Sequence, residues 1–129
     1  MAENVPKIFR IILPVSDAAK ALEFYSGLLG IEGRHVGGGR CYFDCGAVIL
    51  ALLDNKQPAN AEYVYFAVAD LEAVYQRAAA LNCLADIEIH GAPAGEIVMR
   101  PWRERSFYVF DPFGNGLCFV DENTLFTGR

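Results

Sequence analysis

The chain has 129 residues, 53% of them hydrophobic and 21% charged, and a formal net charge of −5. That balance describes one globular domain, 1–129, rather than a disordered or fibrous chain, and its acidity excludes a nucleic-acid backbone as partner. No run reaches the ~18 apolar residues of a membrane span, and Met1-Ala2-Glu3-Asn4-Val5-Pro6 lacks the regions of an export signal, so a cytoplasmic protein is expected.

Residues 8–15 alternate and are rich in β-branched and aromatic side chains, as a strand requires. Ser16 or Asp17 supplies a cap for the helix that follows. In that helix Ala21, Tyr25 and Leu28 share a stripe, with Leu22 and Leu29 beside it, and Gly30 provides the left-handed stop. Short strands then fit about 32–36, 40–45 and 47–53, with Gly37-Gly38-Gly39 as a hairpin turn. The polar stretch Asp54–Asn60, with Pro58 inside it, reads as a linker.

The second half repeats the plan. Leu13-Pro14-Val15-Ser16-Asp17 before the first helix has its counterpart in Phe66-Ala67-Val68-Ala69-Asp70 before the second. Tyr63–Val68 reads as a strand, and Asp70 caps a helix burying Leu71, Val74, Tyr75, Ala78 and Leu81. Strands are expected near 84–89, 96–100, 105–110 and 116–121, the last two joined by the turn Asp111-Pro112-Phe113-Gly114-Asn115. Cys41, Cys45, Cys83 and Cys118 form no CxxC and are expected to be reduced structural thiols. His35 and His90, the only histidines, read as surface residues.

The repeat, the Val-Ser-Asp, Phe-Tyr and Leu-Leu-Gly elements of residues 15–30, and the Asp-Pro-Phe-Gly-Asn turn together resemble the vicinal oxygen chelate superfamily. That group holds glyoxalases, extradiol dioxygenases and bleomycin-resistance proteins. The resemblance implies an α+β fold of two tandem βαβββ modules, about 7–54 and 61–121, forming a curved eight-stranded mixed sheet around a cleft. It also implies a homodimer. Enzymes of the superfamily hold a divalent metal on inner strands, and their ligand positions map here onto Arg10, Leu50, Tyr63 and Cys118. Arginine stays protonated and leucine has no donor, so this set makes no recognisable metal site, and no cofactor is expected.

What remains is an apolar cleft for a small molecule. If the four positions face inward, alternation adds Ile12 beside Arg10, Val48 and Leu52 beside Leu50, Tyr65 beside Tyr63, and Gly116 and Val120 beside Cys118. Arg10 then meets either a ligand anion or an internal acid, and Tyr63 and Tyr65 either line the cleft or pack in the core. The run from Arg100 to Tyr108 resembles the Pro-Trp-Gly-x-Arg segment of bleomycin-resistance proteins, with Arg103 in place of glycine. Trp102 there offers a stacking surface or simple packing, and Arg105 a forked anion contact or an ion pair with Glu104 or Asp111.

The expected activity is therefore metal-independent binding of an aromatic or anionic organic ligand by Arg10, Ile12, Leu50, Tyr63, Tyr65, Trp102, Arg105 and Cys118. The alternative is a glyoxalase-like lyase, an isomerase or an extradiol-type dioxygenase. It would use a noncanonical metal site or Tyr63 and Cys118 as acid–base groups, with Arg10 lowering the thiol pKa. A structural dimer with a vestigial cleft is a third reading.

Overall fold

The computed structural model describes residues 4–54 and 62–128. The linker expected over 54–60 lies outside them except for Asp54, as does residue 61, the expected start of the second module. The first module runs β1 (Arg10–Val15), α1 (Ala18–Leu29), β2 (Arg34–Gly37), β3 (Arg40–Cys45) and β4 (Val48–Asp54). The second runs β5 (Val64–Val68), α2 (Leu71–Ala80), β6 (Glu88–Ile89), β7 (Ala92–Pro93), β8 (Val98–Met99), β9 (Arg105–Phe110) and β10 (Gly116–Asp121).

The expected α+β architecture of two βαβββ modules is present. Its eight principal strands form two mixed sheets of four, ordered β1-β4-β3-β2 and β5-β10-β9-β8, with β6 and β7 as a separate hairpin. In each sheet the first strand of the module pairs in parallel with the last, and the other pairings are antiparallel. The strand expected near 84–89 contracts to an isolated bridge from Leu84 to Val109 and the short β6. That expected over 96–100 contracts to the two residues of β8.

Local chemistry explains both helices. Asp17 accepts from the Lys20 amide at 3.0 Å and Asp70 from the Ala73 amide at 3.1 Å, satisfying one orphan donor at each N-terminus. Gly30 ends α1 in the left-handed region at φ 70°. A side chain at that position would also meet the Arg77 guanidinium at 2.9 Å, and Arg77 is occupied there, donating to the carbonyls of Leu28 and Leu29.

One core joins the modules. Leu13, Val15, Phe43, Leu50 and Leu52 from the first sheet meet Phe107, Val109, Leu117 and Phe119 from the second, with Tyr25 and Leu28 of α1 and Leu71 and Val74 of α2 among them. A buried polar tie reinforces this contact. Asp111 accepts from the Tyr25 hydroxyl at 2.6 Å, from the amides of Phe113 and Asn115, and from the Asn115 side chain, which also donates to the Pro14 carbonyl. The Asp-Pro-Phe-Gly-Asn turn is thus a junction between halves as well as a hairpin. No helix among the described residues is long and apolar enough to cross a membrane.

Candidate functional site

Each sheet has a face toward the helices and a face away from them, and alternation assigns side chains to one or the other. In the first sheet the register aligns Arg10 with Ile49 and Asp44, and Ile12 with Ala51, Tyr42 and Arg34. These residues point away from α1. Leu13, Val15, Cys41, Phe43, Leu50 and Leu52 point toward it and are buried.

Leu50 therefore does not share a face with Arg10, contrary to the expectation from sequence. The partners of Arg10 and Ile12 on β4 are Ile49 and Ala51, one residue either side of Leu50. A shift of one residue in a strand exchanges the two faces. Leu50 instead borders a cleft of about 670 Å³ between the modules, on the helix side, lined by Ile11, Val64, Phe66, Val74 and Arg77 among others. The polar groups of that cleft are engaged in the fold, Arg77 on α1 carbonyls and Asp70 on the cap of α2.

Among the described residues the away face of the first sheet is partly exposed and partly apolar, although Ala51 on it is buried. Ile12 is 55% exposed, and Phe9 just before the strand 60%. The Arg10 guanidinium lies 4.7 Å from the Phe9 ring centre and 5.8 Å from that of Tyr42, and Arg34 approaches the same Tyr42 ring at 5.9 Å. Arg34 grips Asp44 through both carboxylate oxygens at 2.9 and 3.1 Å. Neither Arg10 nor Arg40 forms an ion pair among the described residues. Sequence reasoning missed Tyr42, Arg34 and Arg40. The alternation Arg40-x-Tyr42-x-Asp44 carried the signal, but only the register shows that these residues stand beside Ile12.

The corresponding face of the second sheet is filled. Tyr108, Cys118 and Val120 are buried with Ala85 and Ala94 in a second apolar cluster flanked by Tyr63, Ile89 and Phe110. The cover is the segment from Ala85 to Glu104, fastened by Arg100. This guanidinium, 2% exposed, donates to the Ser106 hydroxyl and to the carbonyls of Pro93, Ala94, Glu96 and Ser106, and lies 5.2 Å from the Tyr108 ring centre. Arg100 is therefore a structural pin and adds no open positive charge to a cleft. Gly95 permits the close approach, since a side chain there would meet the Ala85 carbonyl at 2.4 Å.

Tyr63 and Tyr65 belong to this second face. The Tyr63 ring packs edge-on to Tyr108 and lies against Gly116, where any side chain would meet it at 2.7 Å. Tyr65 is half exposed, and its hydroxyl lies 3.1 Å from that of Tyr108. Cys118 is fully buried, and burial pushes its thiol up to about 11 despite the opposing influence of Ser106, Tyr108 and Arg100. The low-pKa thiol of the acid–base alternative is therefore not what this environment makes, and Arg10 contributes nothing to it.

Trp102 and Arg105 also depart from a shared cleft. Trp102 sits in the cover segment, its indole N–H donating to Glu104 at 2.7 Å and its ring meeting the exposed His90 edge-on at 5.1 Å. Arg105 points to the helix side, pairing with Glu72 of α2 and with Asp121. Neither Glu104 nor Asp111 is its partner. His35 is exposed, with Nδ1 3.5 Å from the Cys41 sulfur. The predicted set is thus divided, with Arg10 and Ile12 on the open face and Tyr63, Tyr65 and Cys118 on the filled one, Tyr65 also lining the inter-module cleft that Leu50 borders. Leu50, Trp102 and Arg105 stand elsewhere.

The donor set does not fit a divalent metal. Arg10 is a cation, Leu50 faces the core, Tyr63 is pressed on Gly116, and the Cys118 thiol is held neutral by burial. Among the described residues no three His, Cys, Asp or Glu side chains gather in a group that could hold a metal.

No curated protein matches the chain in sequence. Among solved structures it is similar to the oxidase ChaP-H1, with 19% identity and a TM-score of 0.78 over 97% of this chain and 100% of that one. It is also similar to the lactoylglutathione lyase of Agrobacterium tumefaciens, with 20% identity and a TM-score of 0.69 over 92% and 96%. The bleomycin resistance determinant encoded on the transposon Tn5 gives 17% identity and a TM-score of 0.69 over 90% and 98%. At these identities the likeness concerns the fold. The family model of the Glyoxalase/Bleomycin resistance protein/Dioxygenase superfamily matches residues 7–119, and with the paired βαβββ modules just described, the chain belongs to that superfamily.

Proposed function

We propose that this protein is a metal-independent binder of a small organic molecule, which it holds on the open face of β1-β4-β3-β2 beneath a second copy of the chain. The observation that carries this reading is the contrast between the two away faces. One is filled by its own cover, whereas the other leaves Ile12 exposed beside a guanidinium that has no carboxylate partner among the described residues. An apolar sheet face open to water is a surface that a ligand or a partner covers. A homodimer supplies the second wall of a pocket that one chain leaves open. Tyr65 of the second copy, exposed in a single chain, is the side chain we assign to that wall.

A cytoplasmic location goes with this reading, since Cys41, Cys45, Cys83 and Cys118 are all free thiols, the form that a reducing compartment maintains. Two observations support binding rather than bond-making: among the described residues no three His, Cys, Asp or Glu side chains gather in a group that could hold a metal, and burial raises the Cys118 thiol. Two measurements test the reading. Light scattering on the purified protein is expected to give twice the mass of one chain, and elemental analysis no stoichiometric transition metal. A monomer, or one zinc, iron, manganese or nickel ion per chain, overturns it and favours a lyase or dioxygenase activity.

A further inference from the structure

We infer that the ligand held on the open face of the first sheet is a small aromatic carboxylate, gripped by the Arg10 guanidinium and seated against Tyr42 and Ile12. This rests on the binding reading above and gives it a chemical class.

The chain is acidic overall, at −5, yet this face concentrates positive charge. Across the strands stand the rows Arg10–Ile49–Asp44, Ile12–Ala51–Tyr42–Arg34 and Pro14–Leu53–Arg40. The face thus carries three guanidinium groups and one carboxylate. Asp44 is already held at both oxygens by Arg34, so that pair is closed. Arg10 forms no hydrogen bond or ion pair among the described residues, and its five N–H donors are free for an incoming acceptor. Arg40, which forms no ion pair among the described residues, adds a second cation on the same face.

The aromatic part of the inference comes from what surrounds the cation. Phe9 and Tyr42 flank the Arg10 guanidinium at 4.7 and 5.8 Å, which orients its planar fork. Ala51, the β4 residue between Ile12 and Tyr42, is itself buried, so the apolar contacts this face offers a ring are those of the exposed Ile12 and the partly exposed Tyr42. A flat ring resting on Ile12 and Tyr42 brings its carboxylate to the fork of Arg10, where a bidentate, charge-assisted contact forms. A cationic ligand meets unpaired like charge on this face. A neutral one leaves the fork unused.

Fluorescence titration with three probes tests this: 2-naphthoate, its neutral isostere 2-naphthamide, and the cation 2-naphthylmethylammonium. The expected order is naphthoate tighter than naphthamide by about tenfold, with the cation weakest. Arg10→Gln, an exposed change that leaves the core intact, is expected to remove the advantage of naphthoate while leaving naphthamide within about twofold. Tyr42→Leu weakens both. Equal affinity for naphthoate and naphthamide, or preference for the cation, overturns the carboxylate assignment while the binding reading stands. Naphthoate binding that Arg10→Gln does not change moves the ligand off this face and overturns the inference as well. Failure of all three probes to bind at millimolar concentration overturns the inference together with the binding reading.

Discussion

The two modules share an order of elements, a helix cap and a parallel pairing of first and last strands, yet they treat their outer faces in opposite ways. In the second module the 24-residue excursion between α2 and β9 folds back and buries Tyr108 and Cys118 beneath Ala85 and Ala94. In the first, β2, β3 and β4 follow one another through short turns, and its described residues include no comparable excursion. A buried guanidinium is costly unless its donors are satisfied, and Arg100 is tolerated because five hydrogen bonds receive it. Arg10, on the open side, has no such cradle. Two arginines on comparable faces thus have different work, one fastening a cover and the other facing outward.

The largest expected effect falls on the joint that both modules share. Asp111→Ala removes the acceptor for the Tyr25 hydroxyl and for donors of Phe113 and Asn115, leaving buried donors unpaired. A loss of about 3–5 kcal/mol in urea unfolding is expected. Burial, followed by the Asp111 charge, already drives the Tyr25 hydroxyl far above its usual range, so the tyrosine stays a donor at any workable pH. Next comes the pin of the filled face. Arg100→Met removes a donor from four carbonyls and the Ser106 hydroxyl, of which the Ala94 carbonyl keeps the Tyr108 amide, at a cost of about 2–4 kcal/mol, with a change in Trp102 fluorescence as the cover loosens. If Arg100→Met and Arg10→Met destabilise equally, the contrast between the faces is wrong.

Much of this arrangement is legible in the residues. The alternation of 8–15, the caps at Asp17 and Asp70 and the stop at Gly30 are local signals, and the helices stand where those signals place them, while the first strand keeps Arg10–Val15 of the expected 8–15. The site was less legible because a face depends on register, which is a contact between distant strands. Counting along β4 reached Leu50, but the pairing of Ile12 with Ala51 makes its neighbours the outward residues. The cover was hidden for another reason. Residues 84–104 have few regular ladders, and what holds them is the side chain of Arg100 bonding to carbonyls, a pattern without sequence periodicity. Sequence neighbours offer Arg105 an ion pair with Glu104 or Asp111, whereas the partner it takes, Glu72, lies on a helix remote in sequence.

Smaller effects sharpen the same contrast. Gly116→Ala drives a methyl group into the Tyr63 ring and is expected to cost about 1–3 kcal/mol. Adding Tyr63→Leu, which relieves the clash, should recover part of that loss in a double-mutant cycle. The filled face also carries a pH signature. Burial raises Cys118, and likewise Cys83, from near 9 to about 11, so the folded state holds these protons more tightly than the unfolded chain. Their contribution is complete below pH 9 and is lost as pH rises toward 11. Urea midpoints should therefore fall over that interval, and Cys118→Ala should make the fall shallower.

The smallest effect on stability is the most telling about the open face. Ile12 is 55% exposed and contributes little to the core of its own chain, so Ile12→Ser should change the unfolding free energy of a dilute monomer by less than about 0.5 kcal/mol. The same change places a hydroxyl where the second copy and the ligand are proposed to rest, and dimer dissociation measured by sedimentation should weaken by about tenfold or more. Leu13→Ser on the neighbouring residue is the control, since Leu13 faces the core at 1% exposure and its loss should unfold the chain before it touches assembly. A dimer indifferent to Ile12→Ser would mean that the exposed apolar face meets water in the assembled protein too. The rationale for placing the pocket there would then be gone, whatever the ligand.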